Sequence, residues 1–200
     1  MTIGDDGYGS TTSDNNPRSG YIAALENPSA MNWSLLSVPE TVMLVSVILN
    51  ASAAGIIFIF SNTIMPALAT LDPDVGVYTM NTINTIIVNP LFIFIFFGGL
   101  ISIYPTVVVW KDRDNFSTPT RICATAATLV YFFGQALVTV TQNVPRNNAL
   151  LAVDPKSDSG ADYWTNDYLN SWVAWNTARG VFAFIASIFG ALSLAFMRKP

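Results

Sequence analysis

Four long stretches of this chain carry no charge, and they decide what it can fold into. They run from Thr41 to Leu71, from Val75 to Trp110, from Ile122 to Pro145 and from Gly180 to Met197. Crossing the hydrocarbon core of a bilayer takes ~20 residues of helix. A water-soluble bundle needs a solvated face on every helix, and these stretches offer none. Only 11% of the residues are charged, whereas 52% are hydrophobic. The expected fold is therefore an all-α membrane protein, a four-transmembrane-helix bundle. The lipid bilayer is its first expected partner.

Punctuation residues place the elements. Residues 1–38 are rich in Gly, Ser, Asn, Asp and Pro, which predicts a disordered N-terminal tail. Residues 39–200 form the membrane domain. Its first helix is expected over about 40–61, opened by a capping box of Ser37 and Glu40. The second is expected over 77–104, kinked near its middle by Pro90. The third begins at Thr118-Pro119 and ends near Asn143, because Pro145 stops it. The fourth spans 162–197, with Ala183, Ser187, Ala191 and Ala195 as a small-residue packing face.

Arginine and lysine counts give an orientation. With four spans, the side that holds both termini and the 105–121 loop has Arg18, Lys111, Arg113, Arg121, Arg198 and Lys199. The other side has Arg146, Lys156 and Arg179. The positive-inside rule then places both termini in the cytoplasm.

Several chemistries are excluded by composition. There is no histidine and a single cysteine, Cys123. No metal site is expected, since only carboxylates remain and none lies within a span. A Ser/His/Asp set cannot be built, and no glycine-rich phosphate loop occurs. The net charge of −4 gives no reason to expect nucleic acid.

Alternating helix direction brings four helix ends together on the non-cytoplasmic side, and these ends hold the unusual polar residues. The start of the second helix supplies Asn81, Asn84, Thr85 and Asn89, with Asn81, Thr85 and Asn89 on one face. The end of the third supplies Thr139, Gln142, Asn143, Arg146, Asn147 and Asn148. The start of the fourth supplies Trp172, Trp175, Asn176 and Arg179, of which Trp172, Asn176 and Arg179 share a face. An arginine or asparagine within a span is costly unless it finds partners. These groups are expected to turn toward one another around a polar cavity that binds a ligand. In the alternative, the asparagines merely join helices, Trp164, Trp172 and Trp175 form an interfacial aromatic belt, and Arg179 snorkels outward or caps a turn. The aromatics Phe92–Phe97 are expected to face lipid or pack the core.

Five fragments carry a resemblance. They are Met65-Pro-Ala-Leu68; Met80-Asn-Thr-Ile-Asn84; Asn89-Pro-Leu-Phe92 with Phe96-Phe-Gly98; Asn143-Val-Pro-Arg-Asn-Asn-Ala-Leu150 with Val153-Asp-Pro155; and Trp172-Val-Ala-Trp-Asn176 with Arg179. In this order and spacing the chain, from about residue 40 to 197, resembles the DUF1772 family, the anthrone oxygenase-like group of small four-span membrane proteins. The resemblance implies oxidation of an anthrone-like aromatic to a quinone with molecular oxygen, without a bound metal or flavin, and a small aromatic or polyketide ligand. It implies a positive group near the developing oxyanion, a role that suits Arg179. Asn143, Asn147 and Asn176 would orient ligand oxygens, and Asp154 would be the candidate base. Asn81, Asn84, Asn89, Trp172 and Trp175 complete the expected ligand site. Relatives often carry a histidine directly after the Trp-Asn pair, where this chain has Thr177. The rival expectation is a non-catalytic membrane subunit or small apolar-ligand binder whose Asn/Arg cluster is structural.

Overall fold

The computed structural model describes residues 36–197, so most of the expected disordered tail lies outside the described residues. Five helices follow one another: α1 Val38–Leu68, α2 Pro73–Ile87, α3 Pro90–Lys111, α4 Thr118–Ala152 and α5 Asp158–Met197. All but α2 are long and apolar enough to cross a membrane. The chain is a multi-pass integral membrane protein, and the expected four-span bundle is present.

Helix α1 opens as the sequence predicts, with the Glu40 carboxylate accepting the Ser37 backbone N–H at 2.8 Å. It spans 31 residues, about 46 Å at 1.5 Å per residue, and so outruns a hydrocarbon core of about 30 Å. Helices α4 and α5 are longer still, at 35 and 40 residues. Their far ends, the far end of α1 and the short α2 pack on one another as a cap on one end of the bundle. The shared core of this cap is Met65, Leu68, Val77, Met80, Leu150, Trp164, Tyr168 and Trp172.

The expected kinked helix over 77–104 is in fact two helices. Proline disfavours helical backbone at the residue before it and removes a donor. Accordingly α2 stops at Ile87, Val88 leaves the helical region at φ −78° and ψ 72°, and Asn89 is extended at φ −124° and ψ 160°. Asn89 then seals both helices. Its side-chain oxygen accepts from Phe92 N at 3.0 Å, and its Nδ2 donates to the carbonyls of Ile86 and Ile87 at 3.3 Å each. Replacing Asn89 with Ala should cost about 1 kcal/mol, the usual worth of such a cap. Chemical unfolding in detergent checks this, and an unchanged midpoint would remove the capping role.

The third span also differs from expectation, because Pro145 does not end it. A π-helical stretch, Thr139–Asn143, lies directly before Val144–Ala152 and widens the turn. The carbonyl four residues back, which an interior proline ring would strike, is thereby displaced and the helix continues. Pro66 follows the π stretch Phe60–Ile64 in the same way, and Pro105 follows the 3-10 stretch Gly98–Ser102. The continuation puts Asn143 and Asn147 one turn apart on a single helix.

Helix α5 is the packing spine. Its buried stripe is Asn176, Arg179, Gly180, Ala183, Ala186, Ser187, Gly190 and Ser193. The expected face at every fourth residue fails beyond Ser187, where Ala191 and Ala195 are exposed. A spacing of 4.0 drifts off a seam that repeats every 3.6 residues. At Gly190 a Cβ would stand 2.6 Å from Val47 Cγ2, so α5 and α1 meet there at close range.

Candidate functional site

The end of the bundle beneath the cap is not packed shut. A cavity lies among α1, α2, α3, α4 and α5 there, with walls from all five helices. Its volume is about 170 Å³ within the walls, and about 790 Å³ with all the gaps between them and the open mouth. A cavity of about 150 Å³ already admits benzene. Most of the lining is apolar: Ile56, Ile57 and Phe60 from α1, Met80 and Ile83 from α2, Phe92, Phe96 and Phe97 from α3. Trp172 closes one side.

The polar lining is concentrated in Asn84, Thr139, Asn143, Asn147, Asn176 and Arg179. Arg179 is its only ionisable member, at 8% exposure. The guanidinium donates through Nε and Nη2 to Asn176 Oδ1 at 3.1 and 2.5 Å, and through Nη1 to Thr139 Oγ1 at 3.1 Å. Both acceptors are neutral, and the lining contains no carboxylate. The cation instead lies over the rings of Phe96, at 5.1 Å, and Trp172, at 5.8 Å. A guanidinium has five N–H donors, so its fork is only partly used.

A second set of hydrogen bonds holds the asparagines. Tyr168 Oη and Trp172 Nε1 both donate to Asn147 Oδ1, at 2.8 and 2.7 Å. Asn147 Nδ2 passes a bond to Asn84 Oδ1 at 3.1 Å. Asn143 Nδ2 donates to Trp172 O at 3.2 Å, tying α4 to α5. Asn176 Nδ2 reaches Ile57 O at 2.9 Å and Ser61 Oγ at 2.8 Å, tying α5 to α1. Two cavity-lining groups stay buried without a partner among the described residues: Asn143 Oδ1 and Asn84 Nδ2. Leaving each unmet costs about 1–3 kcal/mol. Both atoms lie behind the cavity surface, so a ligand reaches them only if the amide turns.

The sequence model of the anthrone oxygenase family matches residues 80–189. The chain belongs to the anthrone oxygenase family. The match takes in every polar cavity residue, from Asn84 to Arg179. It omits α1, although Ile56, Ile57 and Phe60 form part of the wall. No curated protein and no solved structure matches the chain.

Of the residues expected at the site, the fold gathers Arg179, Asn176, Asn143, Asn147, Asn84 and Trp172 around the cavity. It does not bring the others there. Asp154 is exposed in the α4–α5 connection, where its carboxylate accepts from Lys156 N at 3.0 Å. Asn89 is the helix cap already described. Asn81 faces away, donating to Leu150 O at 3.2 Å, and Thr85 beside it is exposed. The α2 face that lines the cavity is Met80, Ile83, Asn84 and Ile87, not Asn81, Thr85 and Asn89. Trp175 is 38% exposed and fits the alternative of an interfacial anchor, whereas Trp164 and Trp172 are buried.

Position 177 is also outside the lining. The Thr177 hydroxyl lies 2.9 Å from Ser61 Oγ, on the side of α5 turned toward α1. A histidine at this position would start from that side of the helix. Thr139 lines the cavity as the sequence predicts, whereas Tyr168 had been passed over and Phe92, Phe96 and Phe97, expected to face lipid or pack the core, form part of the wall. Tyr168 had a signal, since 168, 172, 176 and 179 follow one helical stripe. The phenylalanines had none, because an unbroken apolar run carries no facing information.

Proposed function

We propose that this protein oxidises an anthrone-like aromatic ketone to the corresponding quinone with molecular oxygen, inside this cavity. The observation that carries the reading is Arg179: a buried cation without a carboxylate partner among the described residues, at the polar end of a slot walled by aromatic rings. Such a group suits a ligand that becomes an anion. An anthrone holds a CH2 between two rings, opposite its carbonyl. Loss of one CH2 proton spreads the charge onto the carbonyl oxygen as a phenolate-like species. Arg179 at that oxygen favours the anion, which is electrostatic catalysis at a preorganised donor. The aromatic walls hold the rings, while the Asn143 and Asn84 side chains line the polar end beside Arg179.

The electron-rich anion then reduces oxygen. A C–O bond forms at the former CH2 carbon, the resulting peroxide loses water, and a second carbonyl is left. The balance is CH2 plus O2 giving C=O plus H2O, a four-electron change on each side. The substrate supplies every electron. No lining side chain is a carboxylate, histidine or lysine, so the reading assigns proton removal to water that Arg179 makes sufficient by stabilising the anion.

The test uses the full chain in lipid vesicles supplied with anthrone. Oxygen uptake should run at one O2 per quinone, and 18O2 should leave one labelled oxygen in the product. Uptake no faster than with empty vesicles would sink the reading. One observation favours the rival, a structural cluster in a non-catalytic membrane protein: Asn176 and Asn143 spend their amides joining helices. The two readings divide on what removal of Arg179 does to activity and to stability.

A further inference from the structure

Where the cavity opens bears on how any ligand reaches it. Its lining includes five apolar residues at one side: Ile87, Val88 and Ile93 around the α2–α3 break, and Val140 and Val144 one turn apart on α4. Four of them are well exposed: Val88 at 67%, Ile93 at 40%, Val140 at 57% and Val144 at 41%. The lining of a closed pocket would be buried. These residues are wall and outer surface together, so they frame a mouth.

The depth of this mouth follows from helix rise. Ile93 lies 18 residues before the charged Lys111 of α3 and Val140 lies 19 after Arg121 of α4, which is about 27–29 Å of helix in both cases. That distance spans most of a hydrocarbon core of about 30 Å and reaches its far edge. All the framing side chains are aliphatic, and a mouth facing water would leave them solvated at a cost of about 25 cal/mol for each Å². Facing lipid costs nothing. The mouth adjoins the break at Val88-Asn89, where the backbone leaves the helical region between α2 and α3.

We propose that the cavity opens sideways into the bilayer between Ile87–Ile93 and Val140–Val144, and takes an apolar aromatic ligand from the lipid phase. The inference rests on the proposed function for the class of ligand, and the mouth itself is read from the geometry alone. The polar groups lie inward of the mouth, so a ligand that arrives ring-first from acyl chains meets aromatic walls and then Arg179. Water-soluble aromatics of equal size are disfavoured by partition, not by shape.

The test needs no turnover. Benzophenone, a two-ring aromatic ketone, inserts into C–H bonds on irradiation. The full chain in vesicles is mixed with benzophenone-loaded vesicles and irradiated after short intervals, and the labelled residues are mapped by mass spectrometry. Labelling of Met80 and Ile83 inside the cavity is expected. Val140→Trp, which fills the mouth from a lipid-facing position, should slow that labelling severalfold. Val88→Trp should do the same from the opposite rim, which covers a failure of the first variant to fold. Leu151→Trp, at a 65% exposed position outside the cavity, should leave it unchanged. Wild-type labelling rates in both mouth variants would overturn the sideways mouth while the ligand site stands. An unlabelled cavity in the wild-type chain would overturn the site and this inference together.

Discussion

Replacing Arg179 with alanine is expected to abolish anthrone-dependent oxygen uptake while leaving the protein as stable as before. The two halves come from the same feature. Removing one preorganised donor from a developing oxyanion commonly costs about a hundred- to thousandfold in rate. The stability term has opposing parts. Burying a guanidinium without a counter-charge costs several kcal/mol. Its three hydrogen bonds to Asn176 and Thr139 return roughly 1.5–3 kcal/mol each, and two rings stack on it. Alanine removes both sides of this balance and leaves Asn176 Oδ1 short of a donor. The midpoint of unfolding in detergent should therefore shift little. Arg179→Lys keeps the charge without the planar fork and should retain partial activity. A structural arginine behaves differently: its loss would lower the midpoint sharply, and activity would fall only as far as folding does. Oxygen-electrode rates and unfolding midpoints on the same preparations separate the two outcomes.

Gly99→Ala is expected to be the most damaging glycine-to-alanine change among the described residues. Its Cβ would lie 1.8 Å from Asn50 Oδ1 and 2.7 Å from Tyr131 Cζ. Asn50 is 1% exposed and Tyr131 is fully buried, so neither side chain has open space to retreat into. Ser46 Oγ donates to Gly99 O at 3.0 Å, which pins α1 against this turn of α3. Overpacking typically costs 1–3 kcal/mol, and here three helices meet at the added methyl, so roughly 3 kcal/mol is expected. The effect should also reach the cavity. The Tyr131 hydroxyl donates to Phe96 O, and the Phe96 ring lies beneath the guanidinium. Gly99→Ala should thus lose folded protein first and, in what remains, lose activity beyond the loss of fold. Wild-type yield and midpoint for this variant would refute the close packing of α1, α3 and α4 at Gly99.

The polar residues show how far a linear reading goes. Arg179, Asn176 and Trp172 were legible as one face because their spacings of 4 and 3 are fixed by the helix. Asn143 and Asn147 were legible as a neighbourhood but not as a face, since Pro145 reads as a stop and the π turn that carries the helix past it depends on surrounding packing. Asn81 and Asn89 pointed the wrong way because the expected continuous helix of 77–104 does not exist. Once Asn89 leaves helical backbone, the rotational phase of α2 is independent of α3. In the cap Met80 is buried and Gly76 of α2 lies against the Trp164 indole, and in that packing Asn84 lines the cavity instead.

What the sequence alone determined is the membrane, the number of spans and the end of the bundle that holds the polar groups. Those follow from transfer free energies and chain alternation, which need no knowledge of neighbours. Tertiary structure alone decided that the spans leave a cavity, that Phe92, Phe96 and Phe97 wall it, that Arg179 meets neutral partners, and that aliphatic side chains frame its mouth. Each of these depends on the rotation of one helix against another. Rotation is set by close packing at positions such as Gly99 and Gly190, where a few tenths of an ångström decide the fit and hydropathy says nothing.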